Sequence, residues 1–535
     1  MKKIIFFILL SLGLSLSSFA QLKTGKDVAV TSTKSGAVRG FVRNGIFTYK
    51  GIPYASAKRF EAAQPVAAWE GVRSSMTWGS VAPLVDPTTS VRDEGEFVFD
   101  HDWGFTSEDC LVLNVWTPSI KDGKKRPVMF WIHGGGYTAG SSQELPSYHG
   151  ENLAKKGDVV VVSINHRLNV LGFLDLSAYS DKYKYSANNS ILDIRVALEW
   201  VRDNIENFGG DPGNVTIFGQ SGGGAKVNNL MAMPSAKGLF HKAINQSGSF
   251  RSAMLEKEQT QQITTEVLKE LNIPIKEVDR LQSIPFAALA EAGKKALKTV
   301  EARMNDRSQL IPGFGLSWGP SIDEKLLPYQ IYSPEALALS RDIPLLVGTI
   351  TNEFLPLFNQ QITFASMEEV MAVLQEQHGE KTKSYIKAVR TAYPNNKMPS
   401  DLVHIDNVFR PGAIYQANVK SALKGGAPVY SYIFNWQSPV MDGKYKAIHC
   451  MELAFVFDNI DRCENMTGGT RQAHALADKM SQAWINFART GNPNHKDLPK
   501  WPTYTEANGA NMFFDNECKV RNHHDKELMT FFTQR

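Results

Sequence analysis

Cysteine is scarce in this chain: Cys110, Cys450, Cys463 and Cys518 are the only four in 535 residues. None pairs in C-x-x-C spacing, which excludes a disulfide-stapled scaffold and the common structural zinc sites. H-E-x-x-H, the P-loop and the Rossmann G-x-G-x-x-G are all missing, so no metal and no cofactor are expected. An excess of one charge is lacking too. The net charge is +4, and Lys2 and Lys3 supply half of it, so nothing points to nucleic acid or an anionic surface as partner. Internal repeats, low-complexity tracts and Pro/Gly-rich linkers are absent, so residues 21–535 read as one domain. What is present is ordinary for a large globular core: 43% hydrophobic and 21% charged residues.

The N-terminus carries its own pattern. Lys2-Lys3 precedes an apolar stretch from Ile4 to Leu16, followed by Ser18-Phe19-Ala20 and then Gln21. A basic start, an apolar centre and a small-x-small site describe a signal peptide over 1–20. The stretch is shorter than the roughly 20 residues of a membrane span, and Gln21 rather than Cys argues against lipid attachment. An exported protein without a membrane anchor is expected, periplasmic or secreted. Export permits disulfides; Cys463 with Cys518, or four free thiols, fit the sequence equally.

Downstream, strand and helix signals alternate. Residues 28–50 read as short strands broken at Ser35-Gly36 and Asn44-Gly45. Runs 127–132 and 159–164 are the apolar runs of strands buried on both faces, and 344–348 and 429–434 complete the strand-like set. Ile194, Leu198, Val201, Ile205 and Phe208 share one helix face ending at Gly209-Gly210, and 241–246 is short enough for a strand. The expected fold is α/β: a doubly wound, mainly parallel sheet. The polar helical stretches 256–310 and 366–425 read as insertions walling a pocket at the carboxyl ends of the strands.

Between strand-like Asn214–Phe218 and a helix-capable segment stands Gly219-Gln220-Ser221-Gly222-Gly223. In that setting G-x-S-x-G is a nucleophile elbow, with the serine on a strained turn and glycines where Cβ atoms would collide. Chance alone supplies such a pentapeptide about 0.2 times in a chain this long. An acyl-transfer serine also needs an oxyanion hole, a base and a group that orients the base. His133-Gly134-Gly135-Gly136 directly after the 127–132 strand, with the Gly222 N–H, is the candidate hole. Of the eight histidines after Ser221, His449 stands in a loop beyond a strand; His474 falls in a helical run, and His495, His523 and His524 in polar C-terminal loops. Glu353 follows the 344–348 strand, but Asp323, Glu324 and Asp342 remain rivals, and a loop carboxylate is ordinarily solvated.

Several longer blocks decide among these. Glu108-Asp109-Cys110-Leu111-Val112-Leu113-Asn114-Val115 and Phe208-Gly209-Gly210-Asp211-Pro212-Gly213-Asn214-Val215 resemble signatures of the type-B carboxylesterases, the cholinesterase-like branch of the α/β-hydrolases. Gly51-Ile52-Pro53-Tyr54-Ala55, Asn165-His166-Arg167, the segments 348–353 and 449–457, and Thr490-Gly491-Asn492-Pro493 match further blocks in family order, so the resemblance spans roughly residues 30 to 535. It implies an α/β-hydrolase fold and hydrolysis of small-molecule esters, without cofactor, by Ser221 as nucleophile, His449 as base and Glu353 as orienting acid. The N–H groups of Gly135, Gly136 and Gly222 become the oxyanion donors. Phe314, Leu316 and Trp318 lie where the family builds its acyl pocket, with Tyr137 and Phe354 beside the catalytic loops; core packing explains these five side chains equally well. Ion pairs Arg59–Glu108 and Arg167–Asp193 are implied as structural features.

The chain departs from the family in places. Gln220 replaces the usual glutamate and Gly222 the usual alanine of the elbow, Cys110 lacks a partner in the preceding segment, and Trp103 is out of register with the tryptophan that cradles choline. Losing the charge at 220 weakens attraction for cations and lowers the tendency of His449 to protonate. Neutral esters are expected, with amides, lactones or carbamates as the alternative, and a non-catalytic binding protein as a more distant one.

Overall fold

The computed structural model describes residues 22–84, 93–250, 253–305, 310 and 313–533; the expected signal peptide lies outside them. Strands β1 (Val30–Thr33), β2 (Gly36–Arg39) and β5 (Val72–Ser74) form a small separate sheet. The large one uses β3 (Phe41–Arg43), β4 (Ile46–Pro53), β6 (Val112–Thr117), β7 (Arg126–Ile132), β8 (Val160–Ile164), β9 (Gly210–Gln220) and β10 (Lys242–Gln246). It continues with β11 (Leu345–Ile350), β12 (Val429–Phe434), β13 (Ala510–Phe514) and β14 (Lys519–Asn522). Its order is β14-β13-β12-β11-β10-β9-β7-β8-β6-β4-β3. From β8 across to β13 every neighbouring pair is parallel, and β14, β6, β4 and β3 add antiparallel edges. The expected mainly parallel α/β architecture is thus the observed one.

The apolar runs explain the middle of this sheet: every residue of β7, β8, β11 and β12 is buried. The helix predicted from the 194–208 stripe runs Asn189–Asn204 and tightens into a 3₁₀ turn, Ile205–Phe208. Helices Lys257–Glu270, Phe286–Glu301, Met367–His378, Thr382–Ala392 and Phe409–Ser421 occupy the two polar stretches.

The strand reading needs correction at three places. β6 lies within a segment read only as a family block, and β13 and β14 lie in the C-terminal region read as loops. β13 is five residues long and opens Ala510-Asn511, while β14 is polar and exposed at both ends. Neither carries the apolar run that marks a central strand; the edge of an existing sheet supplies their hydrogen-bond partners.

Strand order reverses at β7: its chain successor β8 pairs on one side and β9 on the other. That is a topological switch point, where the loops leaving adjacent strands part and open a crevice. The Gly-rich loop after β7 and the turn after β9 emerge there side by side, with Ile132 paired to Gly219.

Candidate active site

β9 ends at Gln220 and the helix Gly222–Met231 begins one residue after Ser221. The reversal forces Ser221 to φ 56°, ψ −126°, a region that costs a non-glycine residue about 1–3 kcal/mol. Its N–H is held by the carbonyl of Gln246 at 2.8 Å. A Cβ on Gly219 would stand 2.5 Å from the Gly223 carbonyl carbon, and one on Gly223 2.0 Å from the Ile132 oxygen. The close approach expected of the pentapeptide is therefore the reason for its glycines.

The loop after β7 lies against this turn. Gly135 and Gly136 take φ 78° and 63°. A Cβ at Gly222 would come within 2.0 Å of the Gly136 oxygen, so the alanine usual at this position would push the loop away. Gly222 thus does more than leave a backbone N–H free; it admits the neighbouring loop.

Glu353 follows β11 with φ 47°, and its carbonyl accepts the His449 N–H at 3.1 Å. Its side chain is fully engaged: Oε2 bonds His449 Nδ1, while Oε1 accepts from the Ser247 hydroxyl at 2.6 Å and the Ile350 N–H at 3.0 Å. Ser221, Glu353 and His449 are 8%, 1% and 2% exposed. Among the described residues no hydrogen bond joins Ser221 Oγ to His449. Instead Gln220 Nε2 lies 3.2 Å from His449 Nε2 and 3.4 Å from Nδ1, and its Oε1 accepts from the Cys450 thiol at 3.2 Å. An amide N–H donates only to an unprotonated ring nitrogen, so this contact favours the neutral imidazole with its proton on Nδ1, facing Glu353.

Burial reinforces that state. It draws the His449 pKa below the ordinary histidine value, against a weaker upward pull from Asp406. It also pushes the Glu353 carboxyl up, opposed by the Ser247 and Ile350 bonds. Two more carboxyls stand close behind: burial first, and then the Glu353 charge, raise Asp406 to about 7 and Glu452 to about 8. Asp406 accepts N–H bonds from Val408, Phe409 and Arg410, and Gln246 Nε2 donates to Glu452 at 3.1 Å.

The proposed pocket side chains separate into two groups. Phe354 lies 3.9 Å from the His449 ring, centroid to centroid, and half-exposed Phe314 meets Phe354 edge-on at 5.8 Å. Tyr137, Leu316 and Trp318 are buried at 2%, 6% and 7% exposure; the Tyr137 hydroxyl donates to Asn229 and Trp318 covers Gly293. Sequence reasoning missed Ser247, Asp406, Phe409 and Lys226. A polar residue just past β10, between the strands carrying Ser221 and Glu353, was the legible sign of Ser247. Asp406, three residues before a helix, fits an N-terminal capping position.

Both implied ion pairs form. Arg59 bonds Glu108 through two nitrogens, and Arg167 bonds Asp193 at 2.9 and 2.6 Å. All four cysteines are free thiols. Among the described residues no helix is long and apolar enough to cross a membrane, and no three His, Cys, Asp or Glu side chains gather as a metal site. A polar cavity of about 300 Å³ beyond β12 and β13, lined by Asn435, Asp515 and Arg521 among others, includes no residue named above as nucleophile, base or acid.

A model of the carboxylesterase family matches residues 27–532. The chain is 36% identical over 505 residues to the para-nitrobenzyl esterase of Bacillus subtilis (strain 168), covering 93% of this chain and 97% of that one. It is 31% identical over 526 residues to the cocaine esterase of Homo sapiens, covering 90% and 87%. A solved esterase from Clostridium hathewayi, described as able to hydrolyse aliphatic aromatic polyesters, superposes with a TM-score of 0.84 at 37% identity, covering 96% of this chain and all of that one. Similarity that runs through the sheet, the elbow and both flanking loops leaves one conclusion: the chain belongs to the carboxylesterase family and is a carboxylic ester hydrolase.

Proposed function

We propose that Ser221, His449 and Glu353 carry the hydrolysis and that the preferred substrates are neutral esters with an apolar or aromatic acyl part. The observation that carries this is the bond from His449 Nδ1 to Glu353, held in the crevice beside the elbow, which leaves Nε2 the unprotonated nitrogen that the Gln220 amide contacts at rest and that takes the serine proton when that amide gives way. Ser221 Oγ attacks the ester carbonyl as His449 takes its proton, and Glu353 stabilises the resulting imidazolium. The N–H groups of Gly135, Gly136 and Gly222 receive the oxyanion. His449 then protonates the departing alcohol, and water, activated by the same imidazole, releases the acid. Phe354 and Phe314 offer aromatic faces next to the base, which suits an apolar acyl group.

A panel of p-nitrophenyl esters, a choline-type cationic ester and matched anilides tests the substrate class. Neutral esters lead, and anilides turning over as fast as esters would overturn the reading. The acid limb of kcat/KM lies below pH 6.5, because burial keeps His449 neutral and the neutral form is the base. In Gln220→Glu a carboxylate replaces the amide beside the ring, so that limb moves upward and cationic esters gain on neutral ones. A limb that stays put removes Gln220 from the argument.

Export is part of the same proposal, resting on Lys2-Lys3, the apolar run and Ser18-Phe19-Ala20. N-terminal sequencing of protein recovered from outside the cytoplasm should begin at Gln21; recovery there with residues 1–20 intact counts against it.

A further inference from the structure

Lys226 is fully buried on the helix that follows the elbow, five residues after Ser221. Its Nζ donates to the His133 carbonyl at 3.2 Å and reaches the Gly134 carbonyl at 3.5 Å. Among the described residues it forms no ion pair. The groups facing it are Glu144, bonded by the Tyr148 hydroxyl at 3.1 Å; the rings of His133 and His166, stacked 4.7 Å apart; and the Tyr137 ring, 5.7 Å from Nζ. A Cβ on Gly140 would touch His133 Nδ1, the Gly134 oxygen and Glu144 Oε1 together, so these polar atoms share one small space behind the loop.

Peptide geometry gives this contact a direction. In a trans peptide the C=O and N–H point opposite ways, so a donor on the Gly134 oxygen fixes where the Gly135 N–H points. We infer that Lys226 is a positioning residue of the oxyanion hole: its ammonium holds the His133 carbonyl and, together with His133 Nδ1 at 3.0 Å, the Gly134 oxygen, and it sets a buried positive charge behind the oxygen that becomes negative in the transition state. This rests on the proposed roles of Ser221 and the glycine loop. In a dry site a fixed charge acts on developing charge more than on a neutral ester, so kcat responds and KM does not. Burial lowers the Lys226 pKa to about 7, with Glu144 pulling it back up, so the charge can be lost on the alkaline side.

The test compares wild type, Lys226→Met, Lys226→Gln and Ser221→Ala on p-nitrophenyl acetate from pH 5 to 10. Lys226→Met should lose roughly tenfold to a hundredfold in kcat, less than a direct donor costs, with KM nearly unchanged. Lys226→Gln, which keeps a donor without the charge, falls between. Wild-type kcat declines through an alkaline limb below the ordinary lysine value, and both Lys226 variants lack that limb. A wild-type profile flat to pH 10 overturns the inference, whether or not the variants fold; so does a Lys226→Met enzyme with wild-type kcat. If Ser221→Ala remains active, the underlying assignment has failed instead, and the two failures are told apart.

Discussion

Replacing Ser221 with alanine should lower kcat on a p-nitrophenyl ester by about a millionfold, the loss seen when a serine of a working triad is removed. The argument rests on coupling. His449 Nδ1 bonds Glu353, whose carboxylate is itself held by Ser247 and Ile350, and the base has no use without a hydroxyl to deprotonate. Ser221→Ala, His449→Ala and the double variant should therefore lose similar amounts, because the residues act as one unit. Glu353→Gln should lose less, on the order of ten thousandfold, since the His449 main chain keeps its bond to the residue 353 carbonyl while the imidazole loses its anionic partner. Stopped assays together with labelling by an organophosphate read both effects. A Ser221→Ala protein that retains a per cent of the activity, or still takes up the label, shows that another residue is the nucleophile.

Arg167→Met should destabilise the protein by about 3–5 kcal/mol, the usual cost of breaking a buried ion pair by removing one partner. Asp193 is wholly buried, and Arg167 supplies it with two guanidinium bonds and a backbone N–H at 3.1 Å. The same guanidinium reaches the Glu61 carbonyl at 2.7 Å, tying the N-terminal region to the helix that carries Asp193. Without it a carboxylate remains buried with no opposite charge beside it. Against a typical total of roughly 5–15 kcal/mol, that is a large fraction. Arg167→Met combined with Asp193→Leu should recover most of the loss, because neither variant side chain then leaves a charge behind. Urea unfolding midpoints of the single and double variants decide it; a double variant as unstable as the single one would mean that packing, not the unpaired charge, is responsible.

The sequence was most legible where one residue type answers one local requirement. Apolar runs marked β7, β8, β11 and β12 because a strand covered on both faces is built mainly from apolar side chains, with the few polar ones, such as Ser163 and Ser431, buried among them. Gly219 and Gly223 marked the elbow because no side chain fits beside the crossing backbone. Ser221 was therefore readable as a candidate from its neighbours alone. His449 and Glu353 were not. Each is one polar residue in a loop among several alike, and only the ordered family blocks around them raised them above their rivals.

Other features stayed hidden because they depend on groups distant in the chain. β13 and β14 lack an apolar run and are strands through the edge they join. Ser247, Asp406 and Lys226 look like surface residues until the fold buries them beside Glu353, His449 and the Gly-rich loop. Local rules of pattern and sterics sufficed for the α/β layout and for the elbow serine, since those constraints act within a few residues. The tertiary structure alone decided which carboxylate meets which imidazole, and that Gln220 contacts His449. It also decided that a lysine charge lies behind the loop, because burial and Coulomb interactions depend on distances in space that sequence separation does not record.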